Sequence, residues 1–433
     1  GFDPPPPDDE VENDSLYDVY LTNVVALTTP ENRSFYYPDR EAYTSYIQLG
    51  YDLRTPRYPD DPLPFLKVCA AHEYFHAVQF AYRAFSSDLT LWWFEACAGW
   101  AEEIVFDEVN DVYYKLDYYL PNLHKSLYQS EGFFTYGTWI YAQFLSDRFG
   151  NPIIRKCWER FALFDFAVDA IDLTLDTYGA DFNDEYSKHI VWNYFTGVNY
   201  QPGFYEEAAD FDETVYEARI HSSYPVDWIT DPVPQENVSG TYIIFQNTSL
   251  VNGTLVIEYL NTTDDKHSVA VAQIRPDEGV TYGIYLVQNY IINIYTVENF
   301  TSCEKAVMMP IWLYEGVPSP GITSFSYQAY IDSSSVGIAE NEPPVPFEFK
   351  IDDVYPNPFN GAANVSFTSA TEGYCDFVVY GITGDRIFEK REPVVAGHNL
   401  IRWSPSDDIA SGVHFFEIIQ SDKRLCGKFI YLK

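Results

Sequence analysis

No apolar run in this chain approaches the roughly 18 to 20 residues needed to cross a bilayer, which excludes a membrane-spanning helix. Basic residues are scarce: 26 Lys and Arg stand against 64 Asp and Glu, a formal charge of −38. That balance repels a phosphate backbone or an anionic membrane, so nucleic acid is excluded as a partner. It fits a solubilising surface outside the cell. Cysteines occur only at 69, 97, 157, 303, 375 and 426, with no CxxC pair, which excludes a structural zinc knot and a dense disulfide scaffold. Cys375 and Cys426 share one C-terminal unit and are candidates for a bridge; the other four read as buried thiols. There is no solenoid-type repeat and no low-complexity tract beyond the first prolines. An initiator methionine is missing too, and the opening GFDPPPPDDE suggests that an export signal or pro-segment once preceded it.

What is present is hydrophobic and aromatic. The 433 residues are 46% hydrophobic and 18% aromatic, with 37 Tyr, enough for roughly two to four well-packed domains with β-rich or aromatic-lined surfaces. Residues 1–62 carry two alternating segments, LYDVYLTNV and AYTSYIQLGYDL, that read as strands. Residues 63–225 turn helical: PFLKVCAAHEYFHAVQFAYRAF, LWWFEACAGWAEEIVF, GTWIYAQFLSDRFG and NPIIRKCWERFAL each space apolar residues by three and four. Asp60 and Asp61, ahead of Pro62 and Pro64, signal the first helix start, and Gly150 closes the third. Residues 226–335 are short Val, Ile, Tyr and Thr runs broken by Asn, Gly and Asp, as expected of a β-sandwich. The polar, Pro-rich 336–346 reads as a linker. Residues 347–433 read as a second sandwich of seven short strands.

The chemistry concentrates in HEYFHAVQF, residues 72–80. His72 and His76, four apart on a helix, present both imidazoles on one face, with Glu73 about 100° round from His72. A catalytic zinc needs three protein ligands, an open position for water and a carboxylate to take that water's proton. Glu95, with 18 residues between it and His76, sits in WWFEACAGWAEE, where a second helix can return antiparallel to the first. On that helix Glu95, Gly99 and Glu102 share a face, Gly99 permitting close approach and Glu102 able to accept the free N–H of a ligand histidine.

HExxH, 18 residues and then W-x-x-E-[GA]-x-A-x-x-x-E, filled here by Trp92, Glu95, Ala96, Ala98 and Glu102, resembles the gluzincin metallopeptidases, above all the aminopeptidase-N-like branch. The segment FTYGTWIYAQFLSDRFG is similar to the family's tyrosine segment, with its glycine displaced by two positions, and implies that Tyr136 stabilises the oxyanion. The Gly-Ala-Met-Glu-Asn exopeptidase motif is missing upstream of His72. In its place TSYIQLGYDL is a strand that could line the cleft and pair with an extended peptide, which favours endopeptidase action. The resemblance, which extends to secreted bacterial metallopeptidases of this clan, implies a multidomain α+β protein: a mainly helical zincin catalytic domain with an N-terminal β-portion, then two β-sandwich domains. It implies one catalytic Zn2+ on His72, His76 and Glu95, with Glu73 as base and a peptide or protein substrate.

The C-terminal unit resembles the sorting domain of the type IX secretion system. Pro356, Asn357, Pro358 and Phe359 correspond to its entry motif, Ser411, Gly412 and Val413 to the penultimate hairpin, and the final lysines to the terminal signal. That implies passage through a bacterial outer membrane, the type IX machinery as a partner, and release or attachment at the cell surface. An ordinary Ig-like accessory domain is the alternative.

Other groupings are weaker. Cys69, one turn before His72, reads as a small buried hydrophobe rather than a ligand. His124, His189, His221, His267, His398 and His414 lack ligand spacing and read as surface or hydrogen-bonding residues. DFNDEY at 181–186 faintly resembles a calcium loop but lacks its glycine and twelfth-position glutamate, so Ca2+ has no specific motif and a helix cap is favoured. A glycosidase using Glu102 and Glu103 is disfavoured, because adjacent helical residues diverge by about 100°. A non-enzymatic surface or adhesion protein, binding through Tyr and Trp patches, is the principal alternative function.

Overall fold

The computed structural model describes the chain except residues 8–15, 86, 213–214, 231–232, 249–250, 277, 317–320, 334–348, 370, 372, 395–396, 407–408 and 422. The expected linker at 336–346 lies outside the described residues, as does the His398 side chain. The fold is α+β, built from a small N-terminal sheet, a helical layer and two β-sandwiches.

Strands β1 (Val19–Thr22), β2 (Ala26–Ser34) and β3 (Ala42–Gly50) form the first sheet, with β3 in the middle. β1 pairs parallel to β3 and β2 antiparallel to it. The expectation that the AYTSYIQLGYDL strand lines a cleft is therefore corrected: β3 has both edges occupied, and the strand with an open edge beside the helical layer is β2. The alternating pattern found the most regular strand, and regularity marks a central strand as readily as an edge.

Helix α1 (Leu63–Phe80) begins at Pro62, where Asp61 Oδ1 accepts the Leu63 N–H. It is buried on two sides. Cys69 packs on Ile47 and Leu49 of β3, and α2 (Asp88–Val105) lies antiparallel on the other flank. The short turns α3 (Leu116–Tyr119) and α4 (Phe134–Gly137) lead to α5 (Trp139–Phe149), α6 (Pro152–Phe161), α7 (Ala167–Asp176) and α8 (Phe182–Tyr194). Gly150, at φ 81°, ends α5, and Asp181 caps α8 by accepting the Asp184 N–H, so DFNDEY is a helix start. Gly99 faces α5 rather than α1: a Cβ there would lie 2.7 Å from Trp139 Cβ.

The first sandwich has one sheet of Gly279–Leu286, His267–Arg275, Lys305–Trp312, Tyr242–Phe245 and Glu217–His221, and a second of Ile292–Val297, Thr254–Asn261, Phe325–Asp332 and Val226–Thr230. Strand Glu217–His221 belongs to it, so the sandwich begins ahead of the expected boundary at 225. Its first sheet is covered on both faces, by the second sheet and by α8. Tyr242 donates to the Ile190 carbonyl and Tyr186 to the Val238 carbonyl, and one hydrophobic core runs from α1 through α8 into this sheet. That double coverage explains why Tyr242–Phe245 is buried at every position.

The C-terminal unit has seven strands in two sheets. Phe359 bridges to Tyr431, the Asn357 amide bonds Lys428 and Ile430, and Ser411 Oγ accepts the Lys433 N–H, so the PNPF segment, the SGV turn and the chain end meet at one corner. All six cysteines are free. The candidate Cys375–Cys426 bridge is corrected: Cys375 is buried in the sandwich core, whereas Cys426 is exposed on a strand that does not neighbour it. Sequence proximity within a unit does not fix which face of a strand a thiol occupies.

Candidate metal centre

The antiparallel pairing of α1 and α2 sets His72 opposite Glu102 and His76 opposite Glu95. His72 Nε2 and His76 Nε2 are 3.1 Å apart, and Glu95 Oε2 lies 3.2 Å from the first and 3.7 Å from the second. The remaining ring nitrogens are committed elsewhere. His72 Nδ1 is 2.7 Å from Glu102 Oε1, and His76 Nδ1 is 2.7 Å from Gln79 Oε1. Gln79 Nε2 donates to the Phe94 carbonyl, which fixes the amide so that its oxygen faces His76. Both Nδ1 atoms are therefore donors, and both Nε2 atoms face the same carboxylate oxygen.

Three ligand atoms thus converge on one point that favours positive charge, whether a proton or a metal cation. Among the described residues, the buried Glu95 Oε2 has the two imidazole Nε2 atoms as its polar neighbours. The circle through atoms separated by 3.1, 3.2 and 3.7 Å has a radius of about 1.9 Å, so a point about 0.8 Å off their plane lies roughly 2.1 Å from each, the bond length of tetrahedral zinc to imidazole or carboxylate. His72, His76 and Glu95 are thus a group that could hold one metal ion. The electrostatics agree in sign. Burial alone would lower His72, yet Glu102 and Glu95 outweigh it and push the imidazole up to about 10. Against its own burial, the imidazoles hold Glu95 well below the usual carboxylate range.

A second layer braces the first. Glu102, 3% exposed, also accepts from Lys115 Nζ at 2.6 Å, and that buried ammonium compensates its charge. Lys115 ends a 3-10 turn at Asp111–Lys115, on which α4 packs so closely that a Cβ at Gly137 would lie 2.7 Å from the Lys115 carbonyl oxygen. This places half-buried Tyr136 beside the site, its ring 6.1 Å from that of His72. The Glu95 charge and burial raise the Tyr136 phenol, so it keeps its proton. Of the tyrosines near it in sequence, Tyr128 and Tyr141 lie in the core, and Tyr114 lies under the Arg57 guanidinium. Glu73, 6% exposed, turns to the β2 side of α1, where Thr28 Oγ1 lies 2.7 Å from its Oε2. Gln79, Lys115 and Thr28 escaped sequence reading. Only Gln79, three residues past His76 on the same helix, left a positional signal.

His189 and His267 are buried in hydrogen-bonded surroundings away from this cluster. His189, fully buried, contacts Tyr119, Tyr205 and Asn193, and burial lowers it to about 3; His267 contacts Tyr259 and Thr323. A second set of carboxylates, Glu103, Asp107 and Glu207, meets at a cavity of about 310 Å³ whose walls include Tyr113, Trp139 and Asp147. Glu102 and Glu103 thus point to different surroundings, so the two never face one substrate.

Residues 353–432 match the family model of the secretion system C-terminal sorting domain. The chain is therefore secreted or attached to the cell surface, with the type IX machinery as its partner in export, and no described helix is long and apolar enough to cross a membrane. The match stops at the C-terminal unit. No curated protein matches the chain. Among solved structures, a mitogen from Yersinia pseudotuberculosis is 11% identical at a TM-score of 0.20, covering 25% of this chain and 89% of that one. The β-glucuronidase of Parabacteroides merdae is 10% identical at 0.17, covering 46% and 29%; that of Ruminococcus gnavus is 8% identical at 0.16, covering 46% and 37%. The chain spans about a third of the glucuronidases it is aligned with, and scores this low carry neither fold nor function to it.

Proposed function

We infer that this chain is a secreted zinc-dependent peptidase of the gluzincin type that cleaves within polypeptides. The observation that carries the reading is the convergence of two imidazole Nε2 atoms and one buried carboxylate oxygen on a single point, one residue along the chain from an independent carboxylate. Zinc held there by His72, His76 and Glu95 would supply a Lewis acid that polarises the scissile carbonyl and acidifies a water. Glu73 takes that water's proton on its carboxylate and returns it to the leaving amine nitrogen. Tyr136, its proton retained beside Glu95, donates to the oxygen that develops negative charge. Glu102 and Gln79 hold the imidazoles in the tautomer that offers Nε2 outward. An extended segment added to the open edge of β2 would run past Glu73, which supports endopeptidase action.

The parent chain is expected to carry one zinc per molecule by elemental analysis and to cleave a denatured protein until a chelator is added. Glu73→Gln should keep the metal and lose hydrolysis by at least about a hundredfold. Full activity in that variant would rule out the mechanism, and a parent chain without stoichiometric zinc would rule out the site.

A further inference from the structure

We propose that Thr28 on β2 is a positioning residue for Glu73, an assignment that rests on the peptidase reading. The Thr28 side chain is 8% exposed. Its Oγ1 lies 2.7 Å from Glu73 Oε2 and 2.8 Å from the main-chain oxygen of the same residue. Among the described residues, no other group hydrogen-bonds to the Glu73 carboxylate. A glutamate has three rotatable side-chain bonds, and a base works only within hydrogen-bond reach of the proton it takes. Thr28 removes that freedom from one oxygen and leaves the other available.

The strand fixes the threonine in turn. Thr28 pairs with Ile47 of β3, and Ile47 packs on Cys69, one turn before Glu73 on α1. The height of β2 above the helix is thus set by the same contacts that seat the sheet. A register slip of one residue toward the N-terminus would put Leu27 in Thr28's place and remove the hydroxyl from Glu73. Being β-branched, threonine is also stiff at its first side-chain bond, so the hydroxyl is held rather than selected from several rotamers. A hydroxyl has one proton and two lone pairs. It donates to the carboxylate when Glu73 is ionised. When Glu73 carries the proton, it accepts from the carboxyl and donates to the main-chain oxygen. One group thus holds the side chain in place throughout the transfer.

The test compares the parent with Thr28→Val, Thr28→Ala and Thr28→Ser, each loaded with zinc, on a fluorogenic peptide taken from a cleavage site of a denatured protein. Val and Ala should lower kcat by roughly ten- to a hundredfold with KM within about twofold of the parent, because misplacing the base leaves binding untouched. Zinc content and melting temperature should stay near the parent's. Ser should restore most of kcat, which a purely structural role for the methyl group would not predict. Parent-like kcat in both Val and Ala, or a Ser variant as slow as Ala, overturns the assignment while leaving the peptidase reading in place. A parent chain that cleaves nothing overturns both. Should Val unfold, Ala and Ser decide the matter.

Discussion

Glu102 and Glu103 are neighbours on α2, both nearly buried, and the two flanks of the helix they face have opposite characters. Glu102 looks toward α1 and finds a cation and a donor: Lys115 at 2.6 Å and His72 Nδ1 at 2.7 Å. Its carboxyl is lowered against the effect of burial. Glu103 looks the other way, toward Glu207, Asp107 and the Tyr113 hydroxyl, with no lysine or arginine on the walls of that cavity. Burial and then the Glu207 charge push it up to about 8. One flank is arranged to keep a negative charge and hand its effect on to an imidazole; the other meets the same burial by holding a proton. Position on a helix fixes which flank a residue joins, and only the partners supplied from other elements fix what it does there.

The most severe way to break the contrast is to make the first flank resemble the second. Lys115→Met removes the cation and leaves Glu102 buried without charge compensation, a change expected to cost about 3–5 kcal/mol of stability. The urea-unfolding midpoint of the zinc-loaded chain should fall accordingly. An unchanged midpoint would mean that solvent or His72 alone suffices for Glu102. A milder change keeps the shape and removes only the charge. Glu102→Gln still offers an oxygen to His72 Nδ1 and to Lys115 but removes the Lys115 counter-charge, so the unfolding midpoint should fall as well, and the weaker acceptor should reduce zinc affinity about 10- to 100-fold in competition with a chelator.

Much of the first flank was legible in the sequence, because the three candidate ligands and Glu102 come from two consecutive helices and helical periodicity fixes their faces. The bracing was not. Lys115 arrives on a five-residue 3-10 turn, too short to show a period, and Thr28 arrives on β2, whose run ALTTPENRS contains a proline and a register shift and so reads as a loop. Strand order is equally silent in one sequence, which is how β3 came to be taken for the cleft edge. Gly99 was recognised as a close-approach residue, yet which helix approaches it is decided by Trp139, forty residues on, and not by the shared face with Glu95. The sandwich strands were evident from their composition. Their shared core with α8 was not, since burial on both faces comes from tertiary packing rather than from the strand itself.

The effect expected at Glu103 is the most discriminating, because its sign differs from that of most buried polar substitutions. A glutamate in the unfolded chain releases its proton near pH 4.5, whereas Glu103 in the fold holds it to about pH 8. Between those values the folded state binds more protons than the unfolded one, so the stability contributed at this position falls as pH rises. Glu103→Gln fixes the neutral form. Its unfolding midpoint should match the parent's near pH 5, then exceed it progressively, reaching a gain of a few kcal/mol by pH 8. A gap that does not grow with pH would mean that Glu103 and Glu207 are neutralised by something other than a proton. The two flanks of α2 would then differ only in which cation they hold.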